Sequence, residues 1–107
     1  MLRDLRPDLR LLARIPVRGI AVTARSDRPA FDCVRRFFAP ASGVPEDPVT
    51  GSAQCGLGPY RAARLRKRDL RVYQASPRGG TIRVRIEGDR VQLGGRAVTA
   101  LRGRLAV

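Results

Sequence analysis

The chain has no histidine and no tryptophan, two cysteines, one methionine, and only two tyrosines and three phenylalanines. Without histidine, imidazole acid-base chemistry and nitrogen ligation of a metal are excluded. Cys33 and Cys55 fall short of a four-ligand zinc site, so no metal is expected. In a reducing compartment both are expected to be free thiols packed as small core residues. No stretch approaches the ~18 consecutive apolar residues of a membrane span, so no membrane partner is expected. The start, Met1-Leu2-Arg3-Asp4, lacks an uninterrupted apolar segment followed by a small-residue cleavage site, which makes the cytoplasm the expected location.

What is present suits one globular unit. The 107 residues are 43% hydrophobic, too apolar for simple disorder, and a single domain over 1–107 is expected because domains most often run roughly 100–150 residues. Twenty-two basic residues against 9 acidic ones give a net charge of +13. Lys67 is the only lysine, and so lopsided an Arg:Lys ratio resembles a compositional bias more than a selected phosphate-binding surface. The arginines are dispersed except in Arg61-Ala62-Ala63-Arg64-Leu65-Arg66-Lys67-Arg68, flanked by Tyr60 and Tyr73 as the only nearby stacking groups. That cluster reads first as a solvated helix end. Non-specific polyanion binding at low salt follows from the net charge alone.

Periodicity gives the organisation. Leu2, Leu5, Leu9 and Leu12 recur at helical steps and predict one amphipathic helix ending before Pro16. Strands are predicted from Gly19 to Ala24 and from Phe31 to Phe38, the second stopped by Pro40. Ala41 to Pro48, with a glycine and two prolines, predicts an irregular, stiffened loop. Ser52 to Arg68 predicts a helix bent or restarted near Pro59. Further strands are predicted over Leu70 to Ala75, Thr81 to Glu87, Val91 to Leu93 and Ala97 to about Leu105, with Gly88-Asp89 as a hairpin turn. The fold class is α+β, a mostly β sheet wrapped on one long helix.

The stretch with chemical potential is Glu46-Asp47-Pro48-Val49-Thr50-Gly51-Ser52-Ala53, a rigid acidic loop running into a helix whose first turn is small. N–H groups at a helix start lack intrahelical partners, so Gly51, Ser52 and Ala53 can bind a carboxylate or phosphate closely. The simpler alternative is that Thr50 or Ser52 only caps the helix and Asp47 only complements its dipole. If partly desolvated, Asp47 can take part in proton transfer or orient a substrate group.

Four blocks, in order, carry a family resemblance: Phe31-Asp32-Cys33-Val34-Arg35-Arg36-Phe37-Phe38-Ala39-Pro40; Gly43-Val44-Pro45-Glu46-Asp47-Pro48-Val49-Thr50-Gly51-Ser52-Ala53; Tyr73-Gln74-Ala75-Ser76-Pro77-Arg78-Gly79-Gly80; and Val91-Gln92-Leu93-Gly94-Gly95-Arg96-Ala97-Val98. They resemble the C-terminal half of the phenazine-biosynthesis (PhzF-like) isomerase family. The resemblance implies a single lobe of the diaminopimelate-epimerase-like fold, a mostly antiparallel sheet curled around a central helix. In that family two similar lobes face each other, and a cofactor-independent proton shift on a small carboxylated substrate takes place between them. The resemblance places Asp47 and Ser52 among the catalytic cleft residues and Thr50, Gly51 and Ala53 along the backbone that approaches the substrate. It suggests Arg78 as a contact for the substrate carboxylate.

Departures from the family are equally informative. The proton-transferring glutamate of the family belongs to the N-terminal lobe, and nothing in residues 1–107 corresponds to that lobe. Glu46 is read as solvent-exposed and not as its substitute. Gln54 stands where the family often has histidine, and cannot exchange protons near neutral pH. The cofactor-free amino-acid epimerases of the same fold have a cysteine where this chain has Pro48, which disfavours cysteine-dependent racemisation. The expectation is therefore an isomerase lobe that is incomplete or inactive by itself, with a degenerate binding module as the alternative and a basic nucleic-acid-binding domain as a third reading. A lobe exposing its docking face is expected to pair, with a second copy as a homodimer or with a separate N-terminal lobe.

Overall fold

The strand alternation, and where it meets proline and glycine, sets the architecture. The computed structural model describes residues 1–106. Chain order runs through α1 (Leu9–Leu12), β1 (Ile20–Arg25), β2 (Cys33–Phe38), α2 (Gln54–Leu65), β3 (Asp69–Gln74), β4 (Gly80–Glu87) and β5 (Arg90–Gly94). Single 3₁₀ turns lie at Leu2–Asp4 and Pro40–Ser42. The strands form one sheet in the order β1-β2-β3-β4-β5, antiparallel throughout except for the parallel pair β2–β3. A parallel neighbour needs a crossover, and α2 supplies it.

Burial alternates along β3 and β4 because only one face of the sheet meets α2. Leu70 and Val72 from β3, Ile82 and Val84 from β4, Cys33 from β2 and Ala62 from α2 form the core, with Val49, Leu65, Ile86 and Val91 packed around it. The helix comes close to the sheet at Gly58, where an added Cβ would lie 2.9 Å from Val84 Cγ1. The β4–β5 hairpin closes through Gly88-Asp89 between the paired residues Glu87 and Arg90, and Gly88 has the positive φ (56°) such a tight turn requires.

The other face is covered at β1 and β2 by the N-terminal segment. Arg36 Nη1 donates to the carbonyls of Leu2 (3.3 Å), Arg3 (3.3 Å) and Leu5 (2.8 Å), and its guanidinium lies 4.8 Å over the buried Phe38 ring.

Four expectations are corrected. The leucine stripe does not form one helix: Pro7 cannot donate and restricts the residue before it, so the segment splits into the Leu2–Asp4 turn and α1, which restarts where Asp8 Oδ1 accepts from the Arg10 and Leu11 amides. α2 passes through Pro59 as one helix. The amide that Pro59 lacks would have bonded the Cys55 carbonyl, and Cys55 sits on an exposed turn where water can serve instead. Cys55 is thus not a core residue, whereas Cys33 is, at 2% exposure. The expected strand from Ala97 to Leu105 is irregular and exposed, because the sheet ends at β5 and offers that segment no ladder partner.

Candidate active site

The loop from Glu46 to Thr50 is fastened at Asp47, Pro48 and Thr50 by β2, β3 and the turn that follows β3. The Asp47 amide donates to the Phe37 carbonyl at 3.0 Å. Gln74, fully buried at the end of β3, acts as a clamp: its Nε2 donates to the Asp47 carbonyl (2.6 Å) and its Oε1 accepts from the Thr50 amide (2.8 Å). Ser76 Oγ donates to the Pro48 carbonyl at 2.8 Å and accepts from the Gly79 amide at 2.9 Å, tying the loop to the turn before β4. Gly80 lets that turn close, since an added Cβ would lie 2.2 Å from Val49 Cγ2.

Glu46 is not the exposed residue expected. Its carboxylate accepts from Arg36 Nε and Nη2, both at 2.8 Å, and the two side chains are only 16% and 9% exposed. This bidentate pair lifts the Arg36 pKa, chiefly through the hydrogen bond.

Asp47 is half-buried, and Thr50 donates its hydroxyl to Asp47 Oδ2. Oδ1 accepts no hydrogen bond among the described residues. Thr50 itself is 5% exposed, so it orients the carboxylate and offers no open surface to a ligand. Neither Thr50 nor Ser52 caps α2: the cap position is Ala53, in helical conformation, with no side-chain bond. Gly51 and Ser52 use their carbonyls to accept from the Gln54 (3.0 Å) and Cys55 (3.1 Å) amides. Among the described residues the N–H groups of Gly51, Ser52 and Ala53 have no acceptor, the condition that suits a helix start to an anion. Ser52 is exposed, and its Oγ accepts from Arg18 Nη1 at 3.0 Å.

Asp47, Gly51, Ser52 and Ala53 are thus brought together at one end of α2. Arg78 is exposed in a turn bonded to the same loop, but its own side chain makes no hydrogen bond among the described residues. The residues that sequence reasoning passed over are Arg18, Arg35 and Gln74. Arg35 lies directly across from Gln74 on β2, is wholly buried, and donates Nη2 to the Thr50 carbonyl. Among the described residues its Nε and Nη1 have no partner, nor has Nε2 of the buried Gln54. Burial pushes the Arg35 pKa down to about 10, partly offset by the nearby Cys33 and Asp47. An Arg pair inside the apolar run Phe31 to Phe38 was a signal that something inside the fold needs donors.

The sheet, the crossover helix and the acidic loop clamped at the helix start define an α+β lobe with a half-buried carboxylate near a helix start whose amides lack acceptors among the described residues. Residues 1–103 match the family described as "Phenazine biosynthesis-like protein". The chain is 50% identical to an "Uncharacterized isomerase" of Halalkalibacterium halodurans, over 97% of this chain and 39% of that protein. It is 54% identical to another of Pseudomonas aeruginosa, over 96% and 39%. Crystal structures agree: a PhzF-family protein of Enterococcus faecalis superposes with a TM-score of 0.82 at 39% identity, covering 88% of this chain and 36% of that one. A putative PhzC/PhzF protein of Clostridium difficile superposes at 0.85 and 32% identity, covering 99% and 40%. The chain belongs to the phenazine biosynthesis-like (PhzF) family, and it spans about 39% of the length of the curated relatives it matches.

Proposed function

We propose that this chain is one lobe of a PhzF-like isomerase, contributing Asp47 and the α2 start to a cofactor-independent proton shift on a small carboxylated substrate. The observation that carries the reading is the clamped loop. A carboxylate with one oxygen fixed by Thr50 and one unengaged stands next to three N–H groups without acceptors. The free amides of Gly51, Ser52 and Ala53 would bind the substrate carboxylate, Ser52 would hydrogen-bond it, and Asp47 would exchange or orient the moving proton. Arg78 fits a peripheral contact to the carboxylate.

The second acid/base comes from another lobe in this reading, supplied either by a second copy of this chain or by an N-terminal lobe. Exposed Val98, Leu101 and Leu105 (91, 88 and 86%) support a pairing surface. Light scattering at micromolar concentration should give twice the mass of one chain, and a monomer would count against self-pairing.

The chemistry is tested by mixing the chain with the N-terminal lobe of one of its relatives and following deuterium uptake from solvent into small cyclic or aromatic carboxylates. Uptake is expected with the parent chain and should be lost with Asp47→Asn or Ser52→Ala. Asp47→Asn keeps an oxygen for the Thr50 hydroxyl, so its fold should survive. Uptake that persists with Asp47→Asn removes the residue from the mechanism. No uptake with any pairing, together with carboxylates that still raise the melting temperature, would favour a non-catalytic binding module.

A further inference from the structure

A cavity of about 670 Å³ lies away from Asp47, on the opposite face of the sheet. It is floored by β3 and β4 and walled by the Pro29–Asp32 loop on one side and by β5 on the other. Its size is within the roughly 300–1,000 Å³ of small-molecule sites. Because Leu70, Val72, Ile82 and Val84 face α2, the intervening Arg71, Arg83 and Arg85 all stand on this outer face.

The charges there do not balance. Arg71 and Arg83 occupy directly opposed positions of the β3–β4 ladder, a placement that costs stability for like charges. The neighbouring carboxylates are engaged elsewhere: Asp69 pairs with Arg85 (2.7 Å), and Asp32 pairs with Lys67 (2.5 Å) and accepts from the Arg71 amide (2.8 Å). Among the described residues neither the Arg71 nor the Arg83 guanidinium has an ion-pair or hydrogen-bond partner. Across β4–β5, Arg83 faces Gly94, which adds no side chain to crowd it. Two uncompensated guanidinium forks in one concavity match a dianionic oxyanion, which guanidinium groups bind in bidentate fashion.

We propose that this cavity binds a small phosphorylated molecule, with a phosphoryl group bridging Arg71 and Arg83. A nucleic-acid track is disfavoured by the placement of the other basic groups: Arg61 is bonded to Thr23 on the opposite face of the sheet, and Arg64 is stacked 3.7 Å over Tyr60. The site is independent of Asp47 and the α2 start.

Calorimetric titration of the full chain with inorganic pyrophosphate at physiological salt tests it, with glutarate and a single-stranded oligonucleotide as comparison ligands. A saturable pyrophosphate site is expected that is weakened about tenfold or more in Arg71→Gln/Arg83→Gln. It should be weakened less in Arg71→Lys/Arg83→Lys, which keeps the charge and loses the fork. It should stay within about twofold of the parent in Arg10→Gln/Arg104→Gln, which removes equal charge elsewhere. Absence of saturable binding, equal weakening in both glutamine pairs, or glutarate binding as tightly as pyrophosphate with the same dependence on Arg71 and Arg83 would overturn the proposal. So would an oligonucleotide whose affinity depends on Arg71 and Arg83 when pyrophosphate affinity does not.

Discussion

Replacing Arg35 by methionine isolates the energetics of the buried donors beneath the Glu46–Thr50 loop. The guanidinium is wholly buried, keeps one hydrogen bond to the Thr50 carbonyl and leaves two donors unpartnered. The fall of its pKa to about 10 on burial corresponds to a penalty of roughly 3 kcal/mol on the charged form. The charge-assisted bond to Thr50 returns about 1.5–3 kcal/mol. At pH 8 the two effects nearly cancel in Arg35→Met, whose stability should lie within about 1.5 kcal/mol of the parent. The pH dependence separates them. A cation whose folded pKa is lowered opposes folding while it is charged, so its penalty is full below pH ~10 and fades between there and the unfolded value. At pH 11 the parent chain should recover roughly 1 kcal/mol that the methionine variant cannot. Urea denaturation of both proteins at pH 8 and pH 11 measures the change in their stability difference. A difference that is the same at the two pH values would refute a buried, charged Arg35.

Three further measurements probe the frame around the site. Gly56→Ala should stabilise by about 0.5–1 kcal/mol, since an added Cβ meets nothing, whereas Gly58→Ala should cost about 1–3 kcal/mol through the clash with Val84, despite the same gain in helix propensity; thermal melts of both variants read the opposite signs. Glu46→Gln strips the half of a largely buried pair from Arg36 and should cost about 3 kcal/mol, while Asp69→Asn, in a pair that is 56% and 68% exposed, should cost less than about 1 kcal/mol by denaturant titration. Burial tends to raise the Asp32 pKa, but the Lys67 and Arg71 hydrogen bonds outweigh it and hold the carboxyl below its usual value; its contribution is therefore present above the ordinary carboxylate range and lost as pH falls through the lower folded value, so Asp32→Asn should flatten the acid limb of the stability profile below about pH 4.

The local structure around the candidate site was legible because it depends on near neighbours in sequence. The acidic loop, the small residues at the helix start and the Gly88-Asp89 hairpin are dictated by proline, glycine and spacing over a few residues, and the structure has each in place. Burial alternates along β3 and β4 as the two-residue period of a strand covered on one face requires. What went unread involves partners distant in the chain. Glu46 looks like a free loop carboxylate until Arg36, ten residues away, is brought against it under the N-terminal segment. Gln74 looks like an ordinary strand residue until β3 pairs in parallel with β2 and turns its amide onto the Asp47–Thr50 loop.

The sequence by itself determined the family, the α+β class, the position of the acid and the helix start, because these rest on motifs and short-range periodicity. Only the tertiary structure decided that Cys55 is exposed, that Thr50 faces inward to hold Asp47, and that residues 97–105 form no strand. It also decided that Arg71 and Arg83 stand opposite one another over a cavity. Each of these depends on which strand lies beside which, and pairing across a sheet is set by packing the whole core on α2.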